Sequence, residues 1–158
     1  MRKTAGKKEE ELEDIRALLR PLKIDGIISG AFASEYQRER LDFICEELGL
    51  RSFAPLWHKE SGTYLSELSQ NFEVVITSVS ADGFDASWLG RRMDAECIAD
   101  LKRLQKRFGI SPCGEGGEYE TFVLNAPIFR KRIVIEKATK AFRGTSGTFA
   151  IEKARLSA

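Results

Sequence analysis

Three carboxylates and three glycines crowd one short stretch of the chain. Glu115, Glu118 and Glu120 stand among Gly114, Gly116 and Gly117 in SPCGEGGEYETFVLNAP, residues 111 to 127, and the apolar run Phe122-Val123-Leu124 follows at once. In an extended chain Glu118 and Glu120 share one face, while Tyr119 and Thr121 take the other. Like charges side by side repel and cost stability. The stretch therefore reads either as a solvated acidic turn or as a set of acids that holds a cation or a divalent metal. It is not a dinucleotide fingerprint, because Tyr119 stands where G-x-G-x-x-G needs its last glycine and a strand rather than a helix follows. Nor is it a phosphate-binding loop of Walker type, since no Gly-Lys-Ser/Thr occurs.

A second constellation lies in GAFASEYQRER, residues 30 to 40. Ser34 and Gln37 have the S-x-x-Q spacing of a helix capping box. The same geometry suits a ligand: a helix that starts after a parallel strand opens at the carboxyl edge of the sheet. Its N-terminus favours anions, and Arg38 adds a fixed positive charge that suits phosphate. Trp57 and His58, in APLWHKE, follow the next strand, and Trp88 lies in the loop-like DASWLGRR. Each tryptophan either packs against the sheet or flanks a planar or cationic ligand.

Other chemistries have little to draw on. His58 is the single histidine, so a serine triad or a His-based metal centre has almost nothing to draw on. Cys45, Cys97 and Cys113 form no CxxC pair, and the first two fall on apolar helix faces, which gives them a core role. The net charge is +1, and neither direct nucleic-acid binding nor membrane-surface attraction is expected. No apolar run approaches the ~18 residues of a membrane span. The start of the chain has no apolar segment of signal-peptide type, and the cytoplasm is the expected compartment.

Periodicity supplies the elements that must position these residues. Helices are predicted over residues 7 to 20, 34 to 48, 63 to 70 and 94 to 108, the second closed by Gly49 and the last capped by Asp94. Strands are predicted over 25 to 30, 51 to 55, 72 to 80, 121 to 125, 131 to 137 and 147 to 154. FEVVITSVS, residues 72 to 80, is apolar on both faces, as in the middle of a parallel sheet. The early alternation predicts an α/β part with a partial doubly wound parallel sheet over residues 1–82, and the tail predicts a smaller α+β lobe over 83–158. A chain that opens on a helix and a central-looking strand is short of the βα units such a sheet needs.

GEGGEYETFVLNAPIF, together with GAFASEYQRER, APLW and VSADGFDASWLGRRMD in the same order, resembles the diphthine–ammonia ligase family of N-type ATP pyrophosphatases over essentially the whole chain. The resemblance implies an ATP- and Mg2+-dependent ligase in the last step of diphthamide synthesis. Such enzymes activate the carboxylate of diphthine, a modified histidine on elongation factor 2, as an adenylate with loss of pyrophosphate, and ammonia then displaces AMP. It implies a nucleotide side at Ser34, Gln37 and Arg38 within 1–82. It implies a substrate side in 83–158 built from Glu115, Gly116, Gly117, Glu118, Tyr119, Glu120 and Thr121, with Trp57 and Trp88 as aromatic faces. Diphthine carries a trimethylammonium group, a permanent cation recognised through negative charge and aromatic rings. The family's S-G-G-K-D-S loop, which grips pyrophosphate, has no counterpart in this sequence. The chain is accordingly expected to be the C-terminal portion of such an enzyme, with little adenylating activity of its own. A partner half that carries the loop, or a non-catalytic binding module for diphthine or nucleotide, are the two ways such a portion can serve.

Overall fold

The computed structural model describes residues 8–157. The chain divides into two compact units, one ending at Lys59 and the other beginning at Glu60.

The first unit holds α1 (Lys8–Leu19), β1 (Gly26–Ile28), α2 (Glu35–Leu48) and β2 (Arg51–Phe53). β1 and β2 pair in parallel, Gly26 against Arg51 through Ile28 against Phe53, with α2 as the crossover. α2 begins where Ser34 takes extended backbone and its hydroxyl accepts the Gln37 N–H, and it ends where Gly49 turns left-handed at φ 67°. Its inward face buries Ile44 and Cys45. The predicted helix at 7 to 20 is α1, except that residue 7 lies outside the described residues.

The second unit holds α3 (Ser61–Asn71), β3 (Glu73–Ser80), a 3-10 turn (Ala86–Trp88), α4 (Ala95–Phe108), β4 (Tyr119–Asn125), β5 (Ile133–Arg143) and β6 (Ser146–Leu156). The strands form an antiparallel sheet in the order β4-β3-β6-β5. β3 has β4 along one edge. On the other edge β6 covers only Ser78 to Ser80. Residues 90–93 take over there: the Gly90 N–H donates to the Ile76 carbonyl at 2.8 Å, the Ile76 N–H to Arg91 at 2.9 Å and the Met93 N–H to Val74 at 2.9 Å. Val74, Ile76 and Val79 meet Leu65 of α3 and Cys97, Ile98 and Leu101 of α4 in the core.

The mixed α/β class expected from the sequence is the one adopted, a parallel part followed by an antiparallel one. One detail differs. β3 was expected inside a parallel sheet, yet both its partners are antiparallel. Its apolar character comes from having both edges paired and several consecutive residues covered, a demand that a central antiparallel strand meets as well as a parallel one. For the same reason the chain divides into its two compact units at 59/60, since β3 belongs by its hydrogen bonds to the later strands. The antiparallel unit is thereby the larger of the two.

Candidate functional site

The acidic stretch closes a small pocket in the second unit. Tyr64 and Leu68 of α3, Met93, Cys113, Tyr119 and the rim residues Glu115 and Glu120 enclose about 230 Å3, with Leu65, Gly114 and Thr121 completing the lining. α3 delivers its share because Tyr64, Leu65 and Leu68 fall on one helical face. Glu60 fixes the start of α3, its carboxylate accepting the Gly62 N–H at 2.8 Å and the Thr63 N–H at 2.6 Å. Those amide bonds hold the Glu60 carboxyl below its ordinary range. β4 delivers Tyr119 to the buried side and leaves Glu120 and Thr121 exposed.

Tyr119 is the wall that the pocket is built on. Its ring is buried, and its hydroxyl donates to the Pro112 carbonyl at 2.6 Å. Burial pushes the Tyr119 phenol far up, and it raises Tyr64 too, so both rings are neutral at any ordinary pH. The Cys113 thiol is likewise raised by burial, a trend the Ser61 hydroxyl partly opposes. Burial of this kind favours the neutral thiol.

Glu118 behaves differently from its neighbours. One carboxylate oxygen accepts the Ser111 N–H at 2.7 Å, and the other accepts the Gly116 N–H at 2.8 Å. The expected Glu118–Glu120 pair on one strand face is therefore not formed: Glu118 turns back into its own loop. Gly116 and Gly117 shape that loop without lining the pocket. A Cβ on Gly116 would meet the Glu118 carboxylate at 2.8 Å, and Gly114, at φ 74°, passes so close that a Cβ would lie 2.9 Å from the Tyr119 carbonyl.

The two tryptophans stand apart from these acids. Trp88 is buried in the core, its ring edge-on to Phe84 at 4.9 Å and covered by the Arg91 guanidinium at 4.8 Å. It lines a separate concavity with Arg91, Asp100 and Arg103. Trp57 belongs to the first unit, where Arg38 lies over it at 4.6 Å and His58 stacks on it at 4.6 Å. Arg38 also pairs with Asp42 at 3.3 Å. Ser34 and Gln37 line a concavity between α1 and α2, with Leu12, Ile15 and Tyr36, that Arg38 does not enter. Among the described residues no three His, Cys, Asp or Glu side chains gather as metal ligands.

A family model described as the diphthamide synthase C-terminal domain matches residues 60–156, and one described as the diphthamide synthase N-terminal domain matches residues 1–52. The chain belongs to the diphthamide synthase family. Curated relatives agree. The diphthine–ammonia ligase of Bos taurus is 38% identical over 135 residues, which is 82% of this chain and 50% of that protein. That of Rattus norvegicus is 36% identical over 154 residues, 94% of this chain and 57% of that protein. That of Schizosaccharomyces pombe is 37% identical over 133 residues, 80% of this chain and 22% of that protein. The chain spans about half the length of its mammalian diphthine–ammonia ligase relatives. The N-terminal match ends at residue 52, within the first unit, and the C-terminal match begins at residue 60, where the second unit begins.

Tyr64, Leu68, Met93 and Cys113 were not singled out from the sequence. The spacing of Tyr64, Leu65 and Leu68 along α3 marks an inward face, and that signal was available. What the sequence did not carry was that this face meets a loop some fifty residues further on.

Proposed function

We propose that this chain is the substrate-recognising portion of a diphthine–ammonia ligase and that the Tyr64–Tyr119 pocket takes the trimethylammonium head of diphthine on elongation factor 2. One observation carries the reading: two neutral aromatic rings, Tyr64 and Tyr119, line one small pocket together with two exposed carboxylates, Glu115 and Glu120. A quaternary ammonium has no N–H, so it gains nothing from hydrogen-bond acceptors as such. It gains from ring faces, at ~0.5–2 kcal/mol per contact. It gains also from nearby anions, where a unit charge ~5 Å away is worth about 3 kcal/mol at an effective dielectric of ~20. Glu115 and Glu120 supply the anions while the rings of Tyr64 and Tyr119 receive the methyl groups. Size points the same way: drug-sized ligands occupy ~300–1,000 Å3, and about 230 Å3 suits one side-chain head and not a nucleotide.

In the whole enzyme ATP, with magnesium, supplies the activation that makes the diphthine carboxylate an acyl-adenylate, and ammonia replaces AMP. The part played by this chain is to bind and orient. Holding the ammonium head fixes where the carboxylate stands, and positioning of that kind accounts for much of the barrier lowering in two-substrate reactions. No proton need be moved by Glu115 or Glu120. Ser34, Gln37 and Arg38 remain the residues proposed for the nucleotide side, with Arg38 first released from Asp42. The reading also implies a cytoplasmic protein. No helix among the described residues is long and apolar enough to cross a membrane.

Binding decides the matter. The chain is expected to hold diphthine-bearing elongation factor 2 at least tenfold more tightly than factor that lacks the modification. Glu115→Gln with Glu120→Gln should erase most of that ratio. Equal affinity for the two forms of the factor would overturn the proposal. With ATP and the diphthine-bearing factor, the purified chain alone should release little AMP. Release on adding a polypeptide that carries an S-G-G-K-D-S loop indicates a split ligase. Association of the two without release indicates a binding module.

A further inference from the structure

We infer that Glu118 is a positioning residue: its carboxylate gathers the 111–118 loop so that Glu115 and Glu120, and not Glu118 itself, face the cation. The inference rests on the pocket reading above and assigns different work to three acids that look alike in sequence. The Glu118 oxygens are each taken by a backbone amide, Ser111 at 2.7 Å and Gly116 at 2.8 Å, so one side chain spans a loop from both ends. The Glu118 carbonyl in turn accepts the Ser80 N–H at 2.7 Å, which pins the same residue to the end of β3. Inside the loop two turns follow one another, with the Gly114 N–H donating to the Ser111 carbonyl at 3.1 Å and the Gly117 N–H to Gly114 at 3.0 Å. The residue these turns carry outward is Glu115, at the pocket rim with Gly114.

Charge-assisted bonds of this kind are the strong ones. A methylated ammonium, with no donor to offer, cannot replace the two amides. Glu118 is therefore spent on the loop before any ligand arrives. Gly116 fits the same account, because the Glu118 carboxylate lies where its Cβ would be, at 2.8 Å from one oxygen and 3.0 Å from the other. Gly116→Ala should displace the carboxylate while leaving every charge in place.

The test compares Glu118→Gln, Gly116→Ala and Glu115→Gln in the full chain, with tetramethylammonium as the probe. Two quantities are read by NMR: hydrogen exchange at the Ser111 and Gly116 amides, and the titration of the tyrosine ring signals. A glutamine can accept from one amide only and turns its own NH2 against the other. Glu118→Gln and Gly116→Ala are each expected to speed exchange at both amides at least tenfold and to weaken the probe several-fold, by similar factors. Glu115→Gln should weaken the probe and leave exchange unchanged. Loss of probe binding in Glu118→Gln with wild-type exchange would show that Glu118 meets the cation itself, and would overturn the inference. So would a Gly116→Ala chain that matches wild type in both readings. Should Glu118→Gln fail to fold, Gly116→Ala decides alone. Absence of probe binding in the wild type counts against the pocket reading, and exchange in Glu118→Gln still decides whether the carboxylate holds the loop.

Discussion

Tyr119 is where stability and recognition meet in one side chain. Its hydroxyl serves the Pro112 carbonyl, and its ring is a pocket wall. Tyr119→Phe leaves the ring in place and orphans a buried carbonyl, at a cost of about 1–3 kcal/mol. A lower urea midpoint with nearly unchanged cation binding is the expected outcome. The phenol also sets a pH dependence. Burial holds its folded pKa above the ordinary value near 10, so the folded chain keeps this proton better than the unfolded chain does. The stability that follows is fully present below pH ~10 and is lost as pH rises beyond it. Cys97 acts in the same direction, its thiol pushed from 9.0 to about 11 by burial. Urea midpoints across pH 9 to 11 should fall less steeply in Tyr119→Phe than in wild type. At this scale the sequence was informative about type and blind to direction. Glu115, Glu118 and Glu120 stood out as a group, but a string of letters does not show that the middle one points at backbone amides. Tyr64 stayed hidden because its partner loop is distant along the chain.

At the scale of elements, local signals were legible wherever a local cause produced them. The Ser34 and Asp94 caps and the Gly49 stop bound α2 and α4 as the spacing predicts, and Gly109 closes α4 in the same left-handed way as Gly49 closes α2. Pairing direction was not legible, because the coverage of Val74, Val75 and Ile76 reads the same in the sequence whichever way the neighbouring strands run, and here β4 and β6 both run antiparallel. A glycine shows how tight that coverage is. Gly147 of β6 sits opposite Val79, and a Cβ there would lie 2.5 Å from the Phe142 ring and 3.0 Å from Leu89. Gly147→Ala is expected to cost about 1–3 kcal/mol through overpacking. The measurement is a urea titration in which the midpoint falls and the slope stays constant. An unchanged midpoint would mean that β6 does not pack against Leu89 as described.

Over the whole molecule the two units differ in what holds them. The unit from Glu60 has the contiguous core around Ile76, Leu89 and Leu101 and a complete pocket of its own. The unit up to Lys59 has two three-residue strands, with Ile28 77% and Phe53 61% exposed. A two-stranded sheet is marginal alone in water. Residues 60–158 produced separately should therefore melt cooperatively and bind tetramethylammonium as the full chain does, whereas residues 1–59 should not melt cooperatively. The sequence showed a parallel portion short of strands, and the two-stranded sheet agrees with that. The structure divides at 59/60, because a strand's membership depends on its hydrogen-bond partners and not on its own letters. The reading of the molecule as a diphthine-recognising part stands on where a methylated ammonium lodges, and intermolecular NOEs from the tetramethylammonium methyl protons locate it. NOEs to the ring protons of Tyr64 and Tyr119, lost together in Glu115→Gln with Glu120→Gln, are predicted. NOEs confined to Trp57 or Trp88, or to neither tyrosine at saturation, contradict it.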